Sequence, residues 1–132
     1  KQSIKICNNM KHYDLLIVDD EERFANMLAK RLSLRGCQCE VCYNGQQALD
    51  LVGRKDFFLI LLDLHLPDIY GTEVLIRIKE IDSKTPVIIL TGHGTEKDRK
   101  VCMQHGAYDF IHKPLGIDEL MAILARIEEM SP

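Results

Sequence analysis

Side chains that could do chemistry stand where apolar stretches of this sequence end. Asp19 and Asp20 follow one such stretch, while Asp63, Thr91 and Lys113 stand at or just beyond the ends of three others. Carboxylates bind hard divalent cations, and a hydroxyl and an ammonium group suit the oxygens of a phosphoryl group. These five residues therefore indicate a site for a divalent cation and a phosphoryl group, provided that the fold brings them together.

The apolar stretches have the length and composition of buried β-strands. We predict strands at 14–19, 37–43, 57–63, 86–91 and 107–112. The third and fourth are almost continuously apolar, as expected for strands that are covered on both faces of a parallel sheet.

Helical patterns separate these strands. Phe24 and Leu28 belong to the apolar face of a first helix that Gly36 would end. Asn44 and Gly45 turn the chain into a second helix, Thr95 is expected to cap the fourth, and a fifth covers about 117–129. Five strands alternating with five helices predict a doubly wound α/β sandwich, and the pattern leaves the order of the strands open. In such a sheet, ligands bind outside the carboxyl ends of the strands, where the candidate residues stand.

Composition indicates one globular domain. The chain has 132 residues, of which 46% are hydrophobic and 28% charged, with a formal net charge of -3. Scattered Lys and Arg argue against nucleic-acid binding by this segment, and no apolar run approaches the ~18 residues of a membrane helix. We expect residues 1–12 to be a leader or linker and 13–130 to be the domain, in a cytoplasmic protein. The absence of an initiator Met suggests a segment of a longer chain.

The cysteines do not form a usual zinc pattern. Cys37 and Cys39 would face one side of an extended strand and Cys42 the other, with no histidine at a usual ligand spacing. We interpret them as reduced thiols that pack as small hydrophobic side chains.

Taken together, the motifs resemble the receiver domain of two-component response regulators, over roughly residues 13–130. The resemblance rests on motifs in a fixed order: Val18-Asp19-Asp20-Glu21, Asp63 followed by His65-Leu66-Pro67 and Gly71, Thr91, and Phe110-Ile111-His112-Lys113-Pro114. It implies a flavodoxin-like three-layer sandwich with a five-stranded parallel sheet in the order 2-1-3-4-5, flanked by five helices.

The resemblance also implies a site. Asp63 would be the phosphoacceptor, in a reaction that requires Mg2+. Asp20, Asp63 and the backbone carbonyl of His65 would bind the metal directly, and Asp19 would act through water. Lys113 and Thr91 would contact the phosphoryl group. The family uses a cis bond before Pro114 to direct the lysine inward.

Two further roles follow from the resemblance. Thr91 and Phe110 would be the switch residues, although Phe110 stands where the family often has Tyr and could equally be an ordinary core residue. His65 and His93 could alter the lifetime of the phosphoryl group in either direction, or each could be an ordinary solvated loop histidine. Tyr70 could be a partner contact or have no role.

The implied protein is a switch and not an enzyme acting on other substrates. Its partners would be a sensor histidine kinase or phosphotransfer protein, and an output domain or a second copy docking on the face of helix 4, strand 5 and helix 5. It would not bind nucleic acid or membranes directly.

Other interpretations of the same residues remain. Asp19 and Asp20 could merely cap the first helix, and the fold could serve as an interaction module without phosphorylation. A dehalogenase-type phosphatase would need a second Asp where His65 stands. A flavodoxin would need a phosphate loop where the acidic run 19–22 stands.

Overall fold

The structure, a computed structural model, describes residues 13–130. The predicted leader or linker at 1–12 lies outside the described residues. Strands and helices alternate along the whole described part, as β1 (Tyr13–Val18), α1 (Glu22–Ser33), β2 (Cys37–Cys42), α2 (Gly45–Arg54), β3 (Leu59–Leu62), α3 (Gly71–Ile81), β4 (Val87–Thr91), α4 (Glu96–Gln104), β5 (Asp109–His112) and α5 (Ile117–Met130).

The five strands form one parallel sheet in the order β2-β1-β3-β4-β5, which confirms the predicted fold class and strand order. The register explains why distant acids meet. Val18 pairs with Leu62 across β1 and β3, so Asp19 and Asp63, the next residue of each chain segment, leave the sheet side by side. Thr91 pairs with His112 across β4 and β5, which places Lys113 at the same edge.

Each strand contributes to both faces of the sheet, because successive side chains point in opposite directions. Leu16 and Ile60 belong to the core cluster under α2 and α3, whereas Leu15 and Leu61 belong to the cluster under α1 and α5. All four are at most 1% exposed. Burial of such a side chain stabilises the fold by about 1.5–3 kcal/mol, so the two clusters hold the strand ends in place.

The cysteines of β2 are divided between these clusters as predicted. Cys37 and Cys39 pack with the α1 and α5 cluster, and Cys42 packs with the other. Burial raises the pKa of Cys37 to about 11 and those of Cys39 and Cys42 to about 12. These thiols therefore remain protonated at neutral pH.

Predicted helix ends agree with the structure. Gly36 has a φ of 91°, the left-handed conformation that glycine adopts after a helix. Asn44 caps α2 by accepting from the backbone of Gln47 at 2.9 Å. Thr95 caps α4 in a capping box with Asp98.

Three strands begin later than predicted, β3 and β5 by two residues each and β4 by one. β5 begins at Asp109 and not at 107, because the Ala107 N–H donates to the Cys102 carbonyl and closes the end of α4. β3 begins at Leu59, and the N–H of the preceding Phe58 donates one hydrogen bond to the Asp14 carbonyl. The N–H groups of Phe58 and Tyr108 still donate to the neighbouring strands, whereas the apolar residues before them, Phe57 and Ala107, lie outside the sheet. Within 13–130 no helix combines the length and the apolar character needed to cross a membrane.

Candidate functional site

Three carboxylates meet at the carboxyl edge of the sheet. Each of Asp19, Asp20 and Asp63 offers one oxygen, and these oxygens lie within 4.8 Å of one another. Asp19 and Asp63 are 3% and 5% exposed, whereas Asp20 faces solvent. Two like charges at 4 Å repel by about 4 kcal/mol at an effective dielectric constant of 20, so a positive charge beside the three carboxylates stabilises this arrangement.

Asp19 is held by the turn that leads into α1. Its Oδ1 accepts from the Glu21 N–H at 2.9 Å, and its Oδ2 accepts from Lys113 Nζ at 2.8 Å. Burial raises the pKa of Asp19 to about 6; the two hydrogen bonds oppose this, and the charge of Asp63 adds to it. The carboxyl group therefore gives up its proton less readily than an ordinary aspartate.

Helix capping does not account for Asp19, the first of the two acids after β1. The residue at the N-cap of α1 is Glu21, and its side chain makes no capping hydrogen bond. Asp19 bonds the backbone of the preceding turn and not the first turn of the helix. The hydrogen bonds of Asp19 therefore give no support to the interpretation that this residue merely caps α1.

Asp63 sits directly after the most deeply buried strand. Its N–H continues the ladder to the Val18 carbonyl at 2.9 Å, and its Oδ1 accepts from the Leu64 N–H at 2.8 Å. Its Oδ2 lies 3.6 Å from Lys113 Nζ. The backbone thus fixes Oδ1, whereas Oδ2 points toward the ammonium group of Lys113.

Three carboxylates lie around the ammonium group of Lys113. Besides Asp19 and Asp63, its Nζ donates to Glu21 Oε1 at 2.6 Å and lies 4.3 Å from the centroid of the Phe24 ring. Burial tends to lower the pKa of Lys113, but its bonds to Asp19 and Glu21 and the charge of Asp63 raise it overall. It therefore stays charged at neutral pH. The Lys113–Pro114 bond is cis, as the resemblance implied.

Glu21 and Phe24 were not identified as site residues from the sequence. Glu21 continues the acidic run after β1, which is a weak signal for a place near the site. Phe24 fits the apolar periodicity of α1 and gave no signal of its own, because its contact with Lys113 joins segments 89 positions apart.

Thr91 is completely buried at the end of β4. Its Oγ1 accepts from the His93 N–H at 3.2 Å. Gly94, the second glycine of the loop after β4, is closely packed: a Cβ atom there would lie 2.5 Å from Phe110 Cζ and 2.9 Å from Thr91 Cγ2. Thr91, the β4–α4 loop and Phe110 are thus in direct contact, and Phe110 is 7% exposed.

Two imidazoles contact the backbone of the β4–α4 loop, one from a residue before the loop in the chain and one from a residue after it. His65 Nε2 lies 2.8 Å from the His93 carbonyl oxygen, and His112 Nε2 lies 3.1 Å from the Gly94 carbonyl oxygen. Because a carbonyl only accepts, each Nε2 carries a proton in this arrangement. His65 and His93 also stack edge to face, with centroids 5.9 Å apart. The role of His112 was not predicted.

Tyr70 has a partner within the chain. Its hydroxyl donates to Asp98 Oδ1 at 3.1 Å, and Asp98 is the acid of the α4 capping box. Burial and this hydrogen bond raise the pKa of Tyr70 to about 12. The start of α3 is therefore tied to the start of α4, and the ring remains 43% exposed.

The loop that carries His65 is fixed at two points. Asp68 accepts from the N–H groups of Gly45 and Gln46 at 2.8 and 3.0 Å, at the start of α2. Gly71 donates to the Leu64 carbonyl at 2.7 Å, and a Cβ atom on it would lie 2.6 Å from Leu64 Cα. Gly71 was recognised from the sequence as a motif residue, whereas the role of Asp68 was not predicted.

The donor set fits a hard divalent cation. The three converging carboxylates are oxygen ligands, which Mg2+ prefers, and the exposed Asp20 leaves room for bound water. The single positive charge of Lys113 cannot neutralise the three aspartates and the neighbouring Glu21. No histidine or cysteine of the described residues joins this group.

Comparison with protein families gives a match over residues 15–125 to the model described as the response regulator receiver domain. Among curated proteins, the uncharacterized transcriptional regulatory protein YkoG of Bacillus subtilis is 39% identical over 113 residues, which are 86% of this chain and 50% of YkoG. A putative NtrX-like response regulator of Rickettsia conorii is 38% identical, over 92% of this chain and 26% of its own length. The chain thus spans about half or less of these relatives.

Solved structures give the same result. A response regulator protein from Burkholderia pseudomallei superposes with a TM-score of 0.80 at 27% identity, over 89% of this chain and 73% of that one. That crystal structure is described as containing a phosphorylated aspartic acid, a calcium ion and citrate.

Proposed function

This chain belongs to the response regulator receiver domain family, and from that premise we propose that it accepts a phosphoryl group on Asp63 and changes conformation in response. The donor would be a sensor histidine kinase or a phosphotransfer protein, and the domain would comprise residues 13–130. The observation that carries the proposal is the group of three carboxylates with Lys113 Nζ 3.6 Å from Asp63. A degenerate receiver that signals without phosphorylation would be expected to lack one of these groups.

The transfer is a displacement at phosphorus. A carboxylate oxygen of Asp63 attacks, the P–O bond forms, and the P–N bond to the donor histidine breaks with its electron pair going to the imidazole nitrogen. Leu64 N–H holds Oδ1 of Asp63, which leaves Oδ2 on the side of Lys113. Lys113 and the hydroxyl of Thr91 would then stabilise the charge on the phosphoryl oxygens.

The residues that would hold Mg2+ are Asp20, Asp63 and the backbone carbonyl of His65 directly, and Asp19 through water. The ion would offset the mutual repulsion of the carboxylates and the charge of the incoming phosphoryl group. Asp68 and Gly71 support this set because they fix the loop that carries His65.

The switch would act through the contact between Thr91, Gly94 and Phe110. If Thr91 moves toward the phosphoryl group, the β4–α4 loop and Phe110 lose their present packing. The face formed by α4, β5 and α5 would then change its affinity for an output domain or a second copy. A coupling of about 1–3 kcal/mol is typical of such switches.

The domain would catalyse at most its own phosphorylation and dephosphorylation. His65 and His93 would influence the lifetime of the phosphoryl group. A cytoplasmic location remains a prediction from the sequence.

Binding of beryllofluoride with Mg2+ tests the proposal. We expect saturable binding by the wild type and none by Asp63→Asn, because the substitution removes the attacking oxygen. Asp118→Asn, an exposed aspartate in the first turn of α5, is the matched control and should bind as the wild type does. Equal uptake of phosphoryl from acetyl phosphate by the wild type and Asp63→Asn would refute the assignment.

A further inference from the structure

Phe24 contacts the reactive edge of the sheet without a role in the function proposed above. Its ring lies under the ammonium group of Lys113, with Nζ 4.3 Å from the ring centroid. We propose that Phe24 is a positioning residue for Lys113, and that its ring holds the ammonium group while the carboxylate partners of Lys113 are exchanged for a phosphoryl group. This inference rests on the proposed role of Lys113.

The carboxylates around Lys113 cannot provide a constant partner. Asp19 and Asp63 lie 2.8 and 3.6 Å from Nζ, and both belong to the group that would bind the cation. Their electrostatic attraction for Lys113 would therefore become weaker when the cation is bound. Glu21 lies at 2.6 Å, but its side chain is 64% exposed, and an ion pair with so exposed a partner contributes little.

The Phe24 ring differs from these partners in two respects. It is half-buried and packs against the core cluster under α1 and α5, which fixes its place relative to the sheet. Its attraction for a cation comes from the ring quadrupole, which neither a proton nor a metal ion neutralises. The ring can therefore retain Lys113 in both the free and the phosphorylated site.

Burial of the lysine strengthens this contact. The Lys113 side chain is only 12% exposed, so the ammonium group is partly desolvated where it meets the ring. Cation–π contacts gain strength as the cation loses water. Replacement of the ring by an aliphatic side chain of similar size should leave Lys113 free to follow the carboxylates and weaken the hold on a phosphoryl group.

Beryllofluoride and Mg2+ titrations separate this role from simple packing. We expect Phe24→Leu to weaken beryllofluoride binding about threefold, as the loss of one such contact predicts, and to leave the Mg2+ affinity unchanged. Phe24→Tyr keeps an aromatic face and should restore wild-type binding. Phe58→Leu is the matched control, because Phe58 is half-buried against the same cluster and stacks on Tyr13 with centroids 4.7 Å apart.

A second readout requires neither metal nor phosphoryl group. In the metal-free protein, the ε-methylene protons of Lys113 should show an upfield ring-current shift in NMR spectra, since the ammonium group lies near the ring centroid. The shift should disappear in Phe24→Leu, persist in Phe24→Tyr and be unchanged in Phe58→Leu.

The inference and the proposed function fail in different ways. Equal beryllofluoride binding by wild type and Asp63→Asn refutes the proposed function. If only Asp63→Asn loses binding, then an unchanged affinity in Phe24→Leu, an equal loss of Mg2+ and beryllofluoride affinity, or an equal loss in Phe58→Leu each overturns the role of Phe24. So does the absence of an upfield shift in the wild type.

Discussion

The His112 imidazole donates from Nε2 to the carbonyl oxygen of Gly94 at 3.1 Å. The donor immediately precedes Lys113, and the acceptor lies in the loop that must move if Thr91 is to reach a phosphoryl group. The same imidazole meets the Phe110 ring edge to face, with centroids 5.6 Å apart. One side chain thus joins the lysine segment, the loop and the proposed switch residue.

Removal of this hydrogen bond should favour the activated arrangement. A hydrogen bond contributes about 0.5–1.5 kcal/mol, so His112→Ala should bind beryllofluoride about two- to tenfold more tightly than the wild type. Exchange of the loop amides at 92–94 should also become faster. His105→Ala, at the exposed end of α4, is the control and should change neither value. Weaker beryllofluoride binding by His112→Ala would contradict a restraining role.

Mg2+ should stabilise the protein more at pH 7.5 than at pH 5. The pKa of Asp19 is raised to about 6, mainly by burial. The stability that this group contributes is therefore present below its ordinary value of 3.8 and is lost as the pH rises through about 6. A cation can compensate this loss only where the carboxylate is ionised. At a Mg2+ concentration ten times the dissociation constant, the gain at pH 7.5 should be about 1.4 kcal/mol.

Thermal unfolding with and without Mg2+ at the two pH values checks this expectation. Asp19→Asn should reduce the difference between them, since its side chain cannot titrate. A Mg2+ effect of the same size at pH 5 and pH 7.5 would show that Asp19 does not control metal binding.

Two glycine-to-alanine substitutions should have opposite effects on stability. Gly71→Ala places a methyl group 2.6 Å from Leu64 Cα, against backbone that cannot move without displacing Asp63, so the protein should be strongly destabilised. Gly53→Ala meets nothing within 4 Å and lies in α2, where it should stabilise the fold by about 0.4–1 kcal/mol. Urea unfolding measures both changes. A tolerated Gly71→Ala would mean that the Leu64 loop can shift.

Asp68→Ala should destabilise the protein by about 1 kcal/mol, the usual cost of a lost N-terminal cap. The side chain accepts three backbone N–H groups, from Gly45, Gln46 and Ile69. Desolvation tends to raise the pKa of Asp68, but these bonds lower it overall, so its contribution is lost only in acid. We also expect weaker Mg2+ binding, because the loop with the His65 carbonyl loses an anchor. Asp118→Ala should change neither stability nor Mg2+ affinity, and an unchanged Mg2+ affinity in Asp68→Ala would exclude the positioning role.

The alternation of buried strands and amphipathic helices could be read from the sequence because it depends on local periodicity. Strand starts were less accurate: Ala107 is apolar and lies next to β5, yet its backbone closes α4. Apolar composition reports burial and cannot tell which backbone partner an N–H will choose. The helix caps at Asn44 and Thr95 were predictable, since a cap is a contact within three residues.

The sequence by itself determined which chemical groups end each strand, and the rule for parallel sheets added that Asp63, Asp20, Thr91 and Lys113 would meet at one edge. Only the tertiary structure decided the partners that surround them, such as the Phe24 ring under Lys113 and the Gly94 carbonyl at His112. Local periodicity carries the first kind of information because it is set by the geometry of one helix or strand. The second kind depends on register and packing between elements far apart in the chain, which no short pattern encodes.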